Sequence, residues 1–209
     1  MRVLVACEYS ATVRSAFDRA GCDAWSCDLI MCEKLGKHYR MDIMSLLDKS
    51  LMLPGKGWDL IIAHPPCQFL AVSGNRWYAG TEKRQKAFEW TMNLWEKMKA
   101  SADHVAMENP VGVISSLWRP PDQYIQPWQF GHGETKKTGL WLHNLPKLQP
   151  TNIVSGRQER VWRMGPSPER AKERARFYTG IADAMAEQWG SYEILSRKNT
   201  EHKQIQINL

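Results

Sequence analysis

The chain has no Cys-x-x-Cys pair, and Cys22, Cys27 and Cys32, spaced five apart, match no complete zinc-ligand signature. Its five cysteines, Cys7, Cys22, Cys27, Cys32 and Cys67, are odd in number. Neither a metal centre nor a disulfide framework is therefore expected. No apolar run approaches the ~20 residues a membrane span needs. No leader-like segment precedes the first core-like run, so free thiols in a reducing cytoplasm are the expectation. The turn after that run, "ACEYSATVR", has no glycine, which excludes the glycine-rich cradle that lets a backbone approach phosphate. Internal repeats and low-complexity tracts are also absent.

What is present is an ordinary globular composition, 43% hydrophobic and 24% charged over 209 residues, which suits a single domain with a full core. A net charge of +6 and a pI near 9.1 point toward a polyanionic partner. Ten tryptophans stand out in that composition. Some are expected to line grooves with one edge wet, a setting that also serves as a stacking platform for bases.

The first 110 residues alternate strand and helix. "RVLVAC" (2–7) reads as a strand buried on both faces. Ser10 is expected to cap a helix carrying Val13, Ala16, Phe17 and Ala20, stopped at Gly21. "AWSCDL" (24–29) is a second strand, and a connection through "YRMDIMSLL" (39–47) supplies Asp42. "WDLIIAH" (58–64) is a third strand and delivers Cys67 just past its end. A helix runs from Thr81, with Ala87, Thr91, Leu94 and Met98 in one stripe, and "HVAMEN" (104–109) is a fourth strand. "TGLWLHNL" (138–145) reads as another strand, and "IADAMAEQW" (181–189) as a closing helix. The pattern implies an α/β fold with a doubly wound, mostly parallel sheet, whose ligands bind outside the carboxyl ends of the strands. Glu8, Asp28, Cys67 and Glu108 all fall at such ends.

Cys67 follows two prolines, so its backbone is restricted before any substrate arrives. A thiolate there would be a directed nucleophile. Glu108 ends an apolar strand 41 residues later, an interval that holds one loop, one long helix and the return strand. Asp28 closes the second strand about twenty residues after the first turn, where α/β folds place a carboxylate on ribose hydroxyls. With no phosphate cradle, a phosphate-free ligand with an adenosine and a charged amino-acid tail fits better, a description met by S-adenosylmethionine.

"HPPCQFLAVSG" and "MENPVG" together carry a resemblance. The first resembles the Pro-Cys-Gln loop of DNA cytosine-5 methyltransferases, and the second their Glu-Asn-Val motif, with Pro110 in place of Val. More closely, "VACEYS", "HPPC..LAVSG.RW", "ENPVG", "KKTGLWL" and "MGPSPER" are similar to stretches of small phage and prophage DNA cytosine methylases. The resemblance spans about residues 2 to 190. It implies a Rossmann-like methyltransferase domain over 1–195, a reduced basic substrate-contact segment at about 146–176, and a polar tail from 196 to 209.

The resemblance implies a catalytic group of Cys67, Glu108 and Asn109. Cys67 would add to C6 of cytosine, and Glu108 would hold the N3 and amino edge while C5 takes the methyl group. It implies a cofactor pocket for S-adenosylmethionine from Cys7, Glu8, Tyr9 and Ser10, then Asp28, Leu29 and Asp42, then His64 and Pro65. Substrate contacts would come from Gln68, Ser73, Arg76 and Trp77, from Lys136 and Lys137, and from Arg157, Arg160 and Arg163. Arg84, with Arg76, Trp77 and Lys83, is expected to contact phosphates from a closing loop. The partner would be DNA, as a duplex with the base flipped out or as a single strand, in the cytoplasm (a host's cytoplasm if phage encoded), with no membrane and no metal.

Three features depart from the larger family. The first motif lacks its glycines, a Gln-x-Arg-x-Arg motif has no clear match, and only a basic segment, residues 146–176, stands where a target-recognition domain would be. Three readings stay open beside carbon methylation. One is amino methylation of adenine or cytosine, which needs Asp, Asn or Ser where this chain has His64. Another is a non-catalytic nucleic-acid-binding protein on the same fold. The third is a thiol enzyme acting on free pyrimidine nucleotides.

Overall fold

A computed structural model describes residues 1–52, 57–159, 167 and 176–191. Seven strands make one sheet: β1 (Arg2–Ala6), β2 (Asp23–Asp28), β3 (His38–Arg40), β4 (Trp58–Ala63), β5 (Ala102–Pro110), β6 (Gln123–Ile125) and β7 (Thr138–His143). The helices of the two faces are α1 (Thr12–Arg19), α2 (Ile43–Leu51), α4 (Glu82–Ser101) and α6 (Thr179–Trp189). Two single turns, α3 (Asn75–Tyr78) and α5 (Ile114–Leu117), sit in the connections.

The sheet order is β3-β2-β1-β4-β5-β7-β6. β1 to β5 pair parallel, and β7 runs antiparallel to both β5 and β6. This is the doubly wound, Rossmann-like order of the S-adenosylmethionine-dependent methyltransferase fold. Strand order reverses between β1 and β4, which opens a crevice above their carboxyl ends.

Alternation along the strands feeds two cores. Val3 and Val5 of β1 and Leu60 and Ile62 of β4 face α1 and α6. Leu4, Ala6, Ile61 and Ala63 face α2 and α4 instead. Both sets are fully buried, which is why these strands read as continuous apolar runs. Each such Leu or Ile contributes about 1.5–3 kcal/mol by leaving water. Among the described residues, no helix is long and apolar enough to cross a membrane, and no cluster of three or more His, Cys, Asp or Glu is placed to hold a metal.

Several local expectations change. The connection after Asp28 contains the short strand β3 and then α2, whose N-terminus Asp42 caps by accepting from the Ser45 N–H at 3.0 Å. Strand β6 carried no readable pattern, because its three residues lie among Pro, Gln and aromatics. Ala11, not Ser10, occupies the N-cap of α1, in a left-handed conformation with φ 55°. Cys7 is left-handed as well, at φ 58°. The turn therefore takes two conformations that glycine adopts freely, without a glycine.

This conformation makes a prediction. Ala11→Val places a β-branched side chain at positive φ on a fully buried position. It should destabilise the protein by about 1–3 kcal/mol, read as a lowered urea midpoint. Ala11→Gly, at the same position, should not lower it.

Candidate active site

The loop after β4 is fastened from three sides. The His64 N–H bonds the Ala6 carbonyl at 3.0 Å, continuing the pairing of β1 and β4 by one residue. Asn109 Nδ2 donates to the Pro65 carbonyl at 2.9 Å. Beyond Cys67, the N–H groups of Leu70 and Ala71 both bond the Cys67 carbonyl, at 3.0 and 2.9 Å. The Leu70 carbonyl then accepts from Val113 N–H at 2.9 Å, and the Val72 N–H donates to Val111 at 3.0 Å. A Cβ at Gly112 would stand 2.1 Å from the Leu70 oxygen, so only glycine allows the two loops to close together. Cys67 is thus presented, half-buried, on a turn sewn to the segment that follows Glu108.

Arg84 completes the fastening. It is buried, with Nε donating to the Phe69 carbonyl at 2.8 Å and Nη1 to Asn75 Oδ1 at 2.8 Å. It therefore props the loop from within and does not face phosphates. Gln68, Ser73, Arg76 and Trp77 do lie on the outer surface of this loop. Trp77 is 68% exposed, and the Arg76 guanidinium stands 5.2 Å from its ring centre.

Glu108 is buried near the end of β5. Its Oε2 lies 3.2 Å from His64 Nδ1. Burial pushes its carboxyl upward, but the His64 hydrogen bond and charge, the nearby Lys136 ammonium and a Thr138 hydrogen bond together hold it below the usual carboxylate range. The His64 ring packs against Phe177 with centroids 4.6 Å apart.

A cleft of about 240 Å³ joins these groups, with Cys67, Glu108, His64, Lys136 and Phe177 on one side and Asp28 and the first turn on the other. A second cavity of about 100 Å³ adjoins it, walled by Leu29, Met41, Ile43 and Trp90. Cys7, Asp28 and Pro66 line both, so Asp28 stands where the two spaces meet. Burial pushes the Cys7 thiol well up, and it pushes the Cys27 thiol to about 12. Both stay protonated at neutral pH, as suits their places beside the sheet.

Of the expected cofactor residues, Tyr9, Ser10 and Pro65 also line the larger cleft, and Leu29 and Asp42 the smaller. Glu8 lines the larger one too, but its carboxylate is already engaged. Oε1 accepts from the Val13 N–H at 2.6 Å and Oε2 from the Arg14 N–H at 3.1 Å, at the start of α1. Glu8 is the cap that Ser10 was expected to be, so its carboxylate is committed to the helix before any ligand amine. Asn109, expected among the catalytic group, is 1% exposed and spends its amide on Pro65. It ties down the cysteine loop, and its Oδ1 is buried without a hydrogen-bond partner.

The substrate contacts expected later in the chain divide. Lys136 lines the cleft, while Lys137 is exposed and stands 4.3 Å from the Tyr124 ring centre. Arg157 stacks on Trp128 at 3.9 Å and bonds the Val154 carbonyl at 2.9 Å. Arg160 and Arg163 lie outside the described residues. Phe177, Trp90, Met41 and Ile43 were not foreseen in the cavity walls; Phe177 returns from a distant part of the chain. Arg14 was also missed. It is fully buried and donates to the carbonyls of Lys34, Leu35 and Lys37, which fixes the loop beyond Asp28.

No protein-family model matches the chain, and no curated protein matches it in sequence. Among solved structures, it is similar to the crystal structure of S. pombe Dnmt2 methyltransferase, with a TM-score of 0.47 and 16% identity. The match covers 81% of this chain and 57% of that one, so the chain spans a little over half the length of that protein.

Two predictions come from this geometry. Asn109→Ala leaves the Pro65 carbonyl unpaired and should cost about 1–3 kcal/mol. Hydrogen exchange at Leu70 and Ala71, whose amides close the cysteine turn, should accelerate with it. Glu108 also sets a pH dependence. Its folded value lies below the ordinary 4.5, so its stabilisation is present above that value and is lost as pH falls through the folded one. Glu108→Gln should flatten the acid side of the stability curve below pH 4.5, followed by thermal melts at a series of pH values.

Proposed function

We propose that this protein is an S-adenosylmethionine-dependent methyltransferase that methylates cytosine at C5 in DNA, through a covalent adduct on Cys67. The observation that carries the reading is the joining of Cys67 and Glu108 in one cleft, on two loops that hold each other in place. The motif resemblance to small phage and prophage cytosine methylases supports the DNA substrate and a phage or prophage origin.

The cavities suit the cofactor. The smaller space is mostly apolar, with Leu29, Met41, Ile43 and Trp90 in its walls, which suits an adenine ring. Asp28 at the junction offers a carboxylate to ribose hydroxyls. The larger space continues from there to Cys67 and Glu108 and leaves room for a methyl donor facing a base. When bound, the cofactor supplies an electrophilic methyl group.

The chain's own residues do the rest. The Cys67 sulfur bonds to C6, which moves electron density to C5. Glu108 meets the N3 and amino edge of the ring, and one proton between its carboxyl and N3 offsets the charge that develops there. Lys136 adds positive charge on the same side. After C5 takes the methyl group and gives its proton to water, the Cys67–C6 bond breaks and the thiolate returns. The exposed Arg76 and Trp77, on the loop that follows Cys67, suit contacts to a phosphate backbone and an unstacked base.

Amino methylation fits less well. It needs an acceptor at position 64 for the amino hydrogens, and there His64 already faces Glu108. The test is product identification with labelled S-adenosylmethionine and DNA. The expected product is 5-methylcytosine; N4-methylcytosine or N6-methyladenine would reject the reading. Cys67→Ser should abolish transfer, a loss of at least ~10³-fold, while S-adenosylmethionine binding by calorimetry stays at the wild-type level.

A further inference from the structure

His64 lies at the centre of the base side of the cleft, and the steps above assign it no part. Its backbone is fixed by the Ala6 carbonyl, and its side chain is 12% exposed. Phe177 holds one face of the ring, at 4.6 Å between centroids. Nδ1 is 3.2 Å from Glu108 Oε2, while Nε2 is buried and finds no hydrogen-bond partner. A buried N–H without an acceptor is costlier than a buried lone pair without a donor. The ring is therefore best satisfied with its proton on Nδ1, donating to the carboxylate.

We infer that His64 is a positioning residue for Glu108: its Nδ1–H fixes Oε2, so that Oε1 is the oxygen turned to the N3 edge of the base. The inference rests on the cytosine reading above. It adds what sets the orientation and the proton demand of the glutamate.

The proton demand follows from acceptor counting. A carboxylate oxygen and the N3 lone pair are both acceptors, so facing each other they need one proton between them. The groups around the carboxyl are His64 just past β4, Lys136 just before β7, Thr138 at its start, and Cys67 from its loop. Glu8 and Asp28 lie across the cleft. His64, Lys136 and Thr138 favour the ionised form against burial. The shared proton is then taken from solvent as the base enters. It lies between Oε1 and N3 while the Cys67 sulfur bonds to C6, and it returns through the carboxyl to solvent when that bond breaks. Methyl transfer should thus fall as pH rises, while the need for a Cys67 thiolate contributes a limb of opposite slope.

The experiment compares single-turnover methyl transfer to a cytosine-containing duplex by wild type, His64→Phe and His64→Asn across a pH series. S-adenosylmethionine binding and thermal melting establish that each variant is folded. Phe keeps a ring against Phe177 but loses the donor. Its plateau rate should drop by roughly 10²-fold, and its alkaline fall should move to higher pH, because the carboxyl is no longer held down. Asn places an amide N–H near the position of Nδ1, so it should recover most of the rate and keep the wild-type fall. A ¹³C carboxyl titration of Glu108 should show the same upward move in the Phe variant alone. A His64→Phe enzyme with the wild-type plateau overturns the inference. So does a His64→Asn enzyme that falls as far as His64→Phe, or a Glu108 titration that the Phe variant leaves unmoved. Wild type giving no cytosine product removes the cytosine reading and this inference with it. An active wild type with an unresponsive Phe variant removes the inference alone.

Discussion

The cysteine turn and the segment after Glu108 constrain each other, and the site depends on that mutual fastening. The cysteine turn lies outside the sheet's ladder, and the end of β5 with the loop after it supplies the turn's missing partners. Asn109 reaches back to Pro65, Val113 bonds the Leu70 carbonyl, and Gly112 lets the backbones approach. Two prolines leave the turn few donors of its own, so its carbonyls must be met from outside. The neighbour strand β5 meets them because it pairs directly with β4. A cysteine and a carboxylate that are 41 residues apart in sequence are thereby held as one unit.

The parts of this arrangement carried by the sheet were legible in the sequence. Strands buried on both faces announce themselves as apolar runs, and a polar residue ending such a run falls at the carboxyl rim. Glu8, Asp28, Cys67 and Glu108 could be placed in this way. What each polar group does there was less legible, since the answer lies in neighbours distant along the chain. Asn109 was expected in the catalytic group because "MENPVG" resembles a Glu-Asn-Val motif. Alternation along a strand sends the two side chains to opposite faces, however, and Asn109 turns toward the loop. Arg84 looked like a phosphate contact because it sits in a basic loop, and no local pattern shows that Phe69 and Asn75 claim its guanidinium. Phe177 was invisible for the same reason: it reaches the cleft from the far end of the chain.

The His64 position illustrates how a single change of residue type redistributes roles around a shared frame. A short polar residue there would leave the Glu108 carboxylate without this partner. An imidazole is long enough to reach Glu108 and flat enough to be held by Phe177. The glutamate thereby gains a donor on one oxygen, and the histidine gains a defined ring orientation. Thr138 approaches the same carboxyl from the start of β7, the antiparallel strand beside β5, and Lys136 from just before it. The electrostatics around Glu108 thus come from separate segments of the chain.

The first turn carries a comparable substitution, and its consequence is chemical. In nucleotide-binding α/β folds, glycines let the backbone approach a phosphate, which rests on the free N–H groups at the start of the first helix. Here those N–H groups, on Val13 and Arg14, are taken by the Glu8 carboxylate. Cys7 and Ala11 supply the left-handed bends that glycine would otherwise provide. The helix start is therefore filled by an anion of the protein's own, and a ligand phosphate would meet negative charge instead of open donors. A nucleoside ligand without phosphate suffers no such repulsion. The loss of glycine and the gain of Glu8 are then one change, which keeps the fold's turn while restricting what it can bind.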